Sequence, residues 1–139
     1  MQPLNVIIVG ATIPGSRTLQ RIRAARELGH QVTVIALNRE GGTYEDRPTL
    51  SERIRYHLRR PTDPVGANGY LLEAAQKGCD LIWIENATMI RPETLKSLRR
   101  LAPRPRLAWY AEDDMMSRKH GSVWIDRSLS FFDLWVTTK

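Results

Sequence analysis

Cysteine occurs once in the chain, at Cys79, so no internal disulfide can form and no cysteine-based metal cluster can assemble. Long apolar runs are missing as well. A run such as Val6–Val9 is far too short to cross a bilayer, so no transmembrane segment is expected. The first five residues carry no basic flank and no cleavage pattern, so the apolar run after them reads as a strand, not a signal peptide. There is no internal repeat, low-complexity tract, zinc-ligand spacing or serine-nucleophile elbow. These absences exclude disulfide-stapled, membrane-spanning and zinc-clustered classes. A reducing, cytoplasmic setting is the expectation that remains.

What is present is ordinary for a folded domain. The 139 residues are 42% hydrophobic and 26% charged, enough to bury a core without staples. The formal net charge is +6, much of it arginine. A basic surface favours phosphates, nucleic acid or anionic membrane. Here the arginines alternate with apolar residues at helical spacing, which reads first as solvated helix faces.

The pattern alternates strands and helices. Leu4–Val9 is nearly continuously apolar and ends at Gly10, as a strand buried on both faces does. After a turn from Gly10 to Gly15, Ser16 can cap a helix carrying Leu19, Ile22, Ala25 and Leu28, stopped by Gly29. Gln31–Leu37 is a second strand. A polar loop to Pro48 precedes a short basic helix from Thr49 to Arg60, with a capping-box pattern at Thr49 and Glu52. Asp63-Pro64 predicts the start of another helix, running to Lys77. Asp80–Ile84 is a third strand, Pro92 opens a helix through Leu101, Arg106–Tyr110 is a fourth strand, 117–132 is partly helical, and Asp133–Thr137 is a fifth strand. The reading is a single Rossmann-like, doubly wound α/β domain. Its parallel sheet is expected in the order 3-2-1-4-5, with tryptophans 83, 109 and 135 in the core.

Such sheets bind ligands beyond the carboxyl ends of their strands. That rule selects Gly10–Arg17, Glu85–Met89 and Ala111–His120. The first is a glycine turn entering a helix N-terminus, where free amides can hold an anion. It lacks the central glycine of the dinucleotide fingerprint, because Thr12 stands there and crowds a pyrophosphate. No Lys-Ser/Thr follows, so it is not a Walker A loop. Arg39, after the second strand, would suit a 2′-phosphate, which keeps an NADP-dependent oxidoreductase as an alternative. Glu85 and Asn86 suit a hydroxyl-rich ligand, or are simply loop residues. Glu112-Asp113-Asp114 offers acid–base chemistry, or helix capping and arginine pairing. His120 is a candidate base. No chemistry is assigned to His30 or His57.

Three blocks carry a resemblance: DLIWIENATMIRPETL from Asp80, WYAEDDMM from Trp109 and FDLWVTTK from Phe132, with ELGHQV from Glu27 fitting the same pattern. Together they resemble the N-terminal domain of glycosyltransferases related to the spore-maturation CgeB group, over nearly the whole chain. The resemblance implies a GT-B architecture, two Rossmann-like domains about a cleft, in which the first mostly faces the acceptor and the second holds most of the nucleotide-sugar. The strand-end segments then supply the cleft candidates: Gly10, Thr12, Ser16, Arg17, Glu85 and Asn86 as substrate contacts, with Asp113, Asp114 and His120 as catalytic candidates. GT-B enzymes usually need no bound metal, so Asp113-Asp114 is not read as a metal motif. No cofactor is expected beyond the nucleotide-sugar co-substrate. The expected partners are that donor, an unidentified acceptor and a second Rossmann-like domain or chain, with no specific nucleic acid. Because the sequence stops directly after the fifth strand, it is expected to continue into a second domain, to be inactive alone and to expose apolar surface near Trp135. A non-catalytic regulatory or interaction domain is the remaining alternative.

Overall fold

The computed structural model describes residues 1–115 and 117–138. Five strands form one sheet: β1 (Asn5–Gly10), β2 (Gln31–Ala36), β3 (Leu81–Glu85), β4 (Arg106–Ala111) and β5 (Leu134–Thr137). All four pairings are parallel. The helices between them are α1 (Arg17–Glu27), α2 (Leu50–His57), α3 (Ala67–Gln76), α4 (Pro92–Leu98) and the single turn α5 (Val123–Asp126), followed by a 3-10 turn at Leu129–Phe131. The Rossmann-like α/β class holds. None of the described helices is long and apolar enough to cross a membrane.

The strand order is β2-β1-β3-β4-β5, which corrects the expected 3-2-1-4-5. The third strand does not lie outside β2. It returns across and pairs with the far side of β1. The physical reason is visible in composition. Gln31 and Thr33 of β2 are exposed, as an edge strand allows, whereas Ile82 and Ile84 of β3 are fully buried. A strand buried on both faces takes the central place. The order reverses between β1 and β3, so that is the switch point.

Register places Val9, Ile84, Trp109 and Trp135 in one row across the sheet. This face meets α3 and α4 and holds most of the core, with Leu71, Leu95, Leu98, Leu107 and Ile125. Cys79 belongs to it, at the amino end of β3, and its burial, with the neighbouring Asp80 charge, raises the thiol pKa. The opposite face is smaller: Val6, Ile8 and Ile22, with Leu81 and Trp83 packed beside them. Of the three expected core tryptophans, Trp109 is buried, while Trp83 and Trp135 are half-buried. Trp135 stacks on Trp109 at 5.0 Å, and the exposed apolar residue there is Leu134.

The helix ends follow local chemistry. Ser16 Oγ accepts from the Leu19 amide at 3.3 Å, and Thr49 and Glu52 complete the capping box. The start of α3 differs from expectation. Pro64 is not its first residue. The Asp63 carboxylate reaches forward and accepts from the Ala67 and Asn68 amides at 2.7 and 2.9 Å, and left-handed Gly66 takes the N-cap position. Helix α4 ends at Leu98, one turn earlier than the leucine spacing predicts.

Candidate functional site

The loops after β1, β2, β3 and β4 meet at one rim, at the carboxyl ends of the strands. The rim is built in two halves.

The first half surrounds Glu85, the last residue of β3, whose side chain is almost fully buried. Burying a carboxylate is costly unless it is paired and hydrogen-bonded. Here Oε2 accepts from Thr18 Oγ1 at 2.7 Å and from Arg21 Nη1 at 3.1 Å, and Oε1 accepts from Trp83 Nε1 at 2.7 Å. Arg21 continues the chain of charge to Glu112 Oε1 at 3.1 Å, and Arg17 holds Glu112 Oε2 at 3.0 Å. The Arg21 guanidinium also lies over the Tyr110 ring, 4.3 Å from its centre. Burial alone would lower the Arg21 pKa, but the Glu112 bond and the Glu85 charge outweigh it and raise it. Burial likewise works against ionised Glu112, yet the bonds from Arg21 and Arg17 bring its pKa below the usual carboxylate value. Arg21 and Glu112 therefore stay charged at neutral pH, and the network ties the start of α1 to the ends of β3 and β4.

Several sequence candidates have structural work in this half. Gly10 leaves room for Thr18, since a Cβ there would lie 2.6 Å from Thr18 Cγ2. Ser16 is buried, donates to the Ala11 carbonyl at 2.8 Å and caps α1. The Thr12 amide and hydroxyl both donate to Asn38 Oδ1, at 2.7 and 3.2 Å, which pins the first loop to the end of β2. Asn86 is left-handed, at φ 46°, and its Oδ1 accepts from the Glu112 amide at 3.3 Å. Arg17, Asp113 and Asp114 reach solvent, whereas His120 is half-buried and its amide donates to Ser117 Oγ at 3.3 Å. Among the described residues no group of His, Cys, Asp or Glu is arranged to hold a metal ion.

The second half is open. A groove of about 510 Å³ lies between the 38–48 loop, α2, the 61–64 segment and Thr88–Met89. Its walls are mainly apolar, from Pro48, Pro61, Pro64, Met89 and Tyr56. Arg39 on its edge is fixed to Glu52 at 2.8 Å. Arg47 and Arg53 also line it and make no ion pair among the described residues. An apolar cleft with a few convergent polar groups is the usual form of a small-molecule site. The groove joins the first half through Asn38, which holds Thr12. Sequence reading missed it, because a polar loop and a basic helix each look like solvated surface when read alone. Arg21 and Thr18 were also missed. Arg21 lies four residues after Arg17, on one flank of α1, which is the only signal the sequence carries for the pair.

A smaller depression of about 310 Å³, lined by Asn5, Gln31, Lys77 and Cys79, lies at the opposite, amino ends of the strands. The topology gives it no role in ligand binding.

No family model and no curated protein matches this chain. Among solved structures, an alpha-glucosyltransferase in complex with UDP and a 13-mer DNA containing an HMU base is similar at 15% identity. The TM-score is 0.58 over 98% of this chain and 38% of that one. A second alpha-glucosyltransferase structure, with UDP and a 13-mer DNA holding a central A:G mismatch, gives 17% identity and a TM-score of 0.56 over 97% and 37%. The chain spans less than two-fifths of the length of either. At such identities the likeness shows a shared Rossmann-like fold.

Proposed function

We propose that this chain is the acceptor-side domain of a glycosyltransferase that moves a sugar from a nucleotide-sugar to an acceptor bound at the rim, in an enzyme of GT-B type related to the CgeB group. The observation that carries the reading is the continuous fold likeness, over almost the whole chain, to part of an enzyme solved with UDP. The CgeB-type blocks at Asp80, Trp109 and Phe132 support it independently. In this reading the groove beside α2 receives the acceptor and the exposed Asp113 and Asp114 face the cleft, while a second Rossmann-like unit supplies most of the donor site.

The two solved neighbours hold DNA, and two arginines of the groove make no ion pair among the described residues. Nucleic acid therefore stands among the acceptor classes to be tried, in tension with the expectation that none is involved. An NADP-dependent oxidoreductase is not favoured. The Thr12 amide, which would have to face a pyrophosphate, is already bonded to Asn38, and Arg39 is already paired with Glu52.

The chain alone is expected to be inactive. Holding two reactants in alignment contributes about 7–11 kcal/mol toward a barrier, and half a cleft forfeits most of that. The test is to assay the purified chain against nucleotide-sugars and candidate acceptors, DNA included, with and without a supplied second domain and with and without a chelator. Transfer only with the second domain, and unaffected by the chelator, is expected. Turnover by the chain alone overturns the half-enzyme reading, and micromolar binding of NAD or NADP overturns the glycosyltransferase reading.

A further inference from the structure

Helix α2 is amphipathic in the inverted sense. It buries none of its side chains. Its inward flank holds Glu52, pinned by Arg39, and Tyr56, whose hydroxyl donates to the Lys119 carbonyl. Its apolar residues point the other way. Leu50, Ile54 and Leu58 recur every four residues, so they form one stripe, and they are 72%, 52% and 64% exposed. Single exposed apolar residues need no explanation, but an aligned stripe on an exposed helix does.

Charge says what covers it. By helical position Arg55 flanks the stripe on one side and Arg53 and His57 on the other, with Arg60 just beyond the end. The three arginines make no ion pair among the described residues. The sole acid on the helix, Glu52, is turned inward and only 17% exposed. Apolar side chains between unpaired cations match an anionic bilayer surface, where they enter the acyl boundary while the guanidiniums meet lipid phosphates.

We propose that the outward face of α2 docks this domain on an anionic lipid surface. The ends of the helix are fixed for that task. The capping box holds its start. At its close Arg59 is left-handed at φ 57°, the Arg59 and Arg60 amides donate to the Tyr56 and Arg55 carbonyls, and the Arg59 carbonyl accepts from the Val123 amide at 2.8 Å. Docked this way, the groove on the inner flank of α2 would lie within about one helix diameter, roughly 10 Å, of the membrane surface. The inference goes beyond the transferase reading and does not depend on it.

The test is sedimentation of the chain with vesicles of phosphatidylcholine alone and with roughly one-third phosphatidylglycerol added. Binding is expected to the anionic vesicles only, weakening as salt is raised. The triple variant Leu50→Ser, Ile54→Ser, Leu58→Ser should lose about tenfold or more of that binding, and Arg55→Ser with Arg60→Ser should also weaken it. All five side chains are exposed, so an unchanged unfolding midpoint will show that the fold is intact. Failure of the wild type to bind anionic vesicles overturns the proposal, as does undiminished binding by the triple variant. Light scattering that shows a dimer abolished by the triple variant would also overturn it, assigning the stripe to a second copy of the chain.

Discussion

The two halves of the rim are built on opposite principles. Around Glu85 the carboxylates and guanidiniums are paired, and Thr18, Trp83 and Tyr110 close in on them. Around the groove Arg47 and Arg53 make no ion pair among the described residues, and the walls are mainly apolar, from proline, methionine and tyrosine. The buried network around Glu85 has little left to offer a ligand, because its hydrogen-bonding capacity is spent within the protein; beside it only the solvent-facing Arg17, Asp113 and Asp114 remain. The second has unspent charge and an open volume. Polar residues at a strand's carboxyl end therefore locate the rim of such a sheet, but do not show which part of it binds.

The sharpest way to break this contrast is to remove the centre of the closed half. Glu85→Ala leaves Arg21, Thr18 and Trp83 without their shared acceptor, and should cost roughly 3 kcal/mol in urea unfolding. That is the low end for breaking a buried ion pair, since Arg21 is partly exposed. A loss below about 1 kcal/mol would mean that the network is not a lock. Next in size, Gly10→Ala drives a methyl group into Thr18 and should cost about 1–3 kcal/mol. Combining it with Thr18→Ser, which removes the nearest methyl, should recover part of the loss. Simple additivity would show that the clash had been relieved elsewhere.

A third experiment sets the rim against the amino ends of the strands. There Asp133 accepts from Arg99 at 2.9 Å and from the Leu107 amide at 2.8 Å, and Arg99 chiefly holds its pKa down at about 2 against an ordinary 3.8. A depressed carboxylate contributes stability that is complete above its unfolded pKa and is lost as pH falls toward the folded one. Stability should thus decline between about pH 4 and 2, and Asp133→Asn should flatten that part of the curve. An unchanged slope in the variant would remove Asp133 as the cause. The smallest effect belongs to the open half. Arg47→Ser with Arg53→Ser should move stability by no more than about 0.5 kcal/mol, as for unpaired surface groups. A larger loss would reveal structural work by these arginines and weaken the case for a binding groove.

How much of this the sequence carried depends on the range of each interaction. The strands, most helices and the parallel class follow from local signals: the apolar run Val6–Val9, the caps at Ser16 and Thr49, and the stop at Gly29. Strand order is not local. Its clue lay in the polar residues Gln31 and Thr33, which mark β2 as an edge strand. The candidate site was legible only as a set of loops. Glu85 was selected as a substrate contact, and the partners that bury it, Arg21 and Thr18, come from 64 and 67 residues away, where no spacing rule reaches. The groove was invisible because it exists only where four separate segments converge.

The lone thiol makes the domain its own timekeeper. Cys79 is the one group in the chain that a disulfide reagent can modify, and in the folded state it is buried with a raised pKa. It lines the depression at the amino ends of the strands and is only 9% exposed, so its reaction should be slow in the closed fold and quicken when that edge, where α3 hands over to β3, opens and the sulfur can ionise. The rate of colour release from such a reagent thus rises with openings of that edge, with no label introduced and no second cysteine to confuse the signal. A variant that loosens only the rim at the other end of the strands should leave this clock unchanged, whereas one that loosens the whole sheet should quicken it.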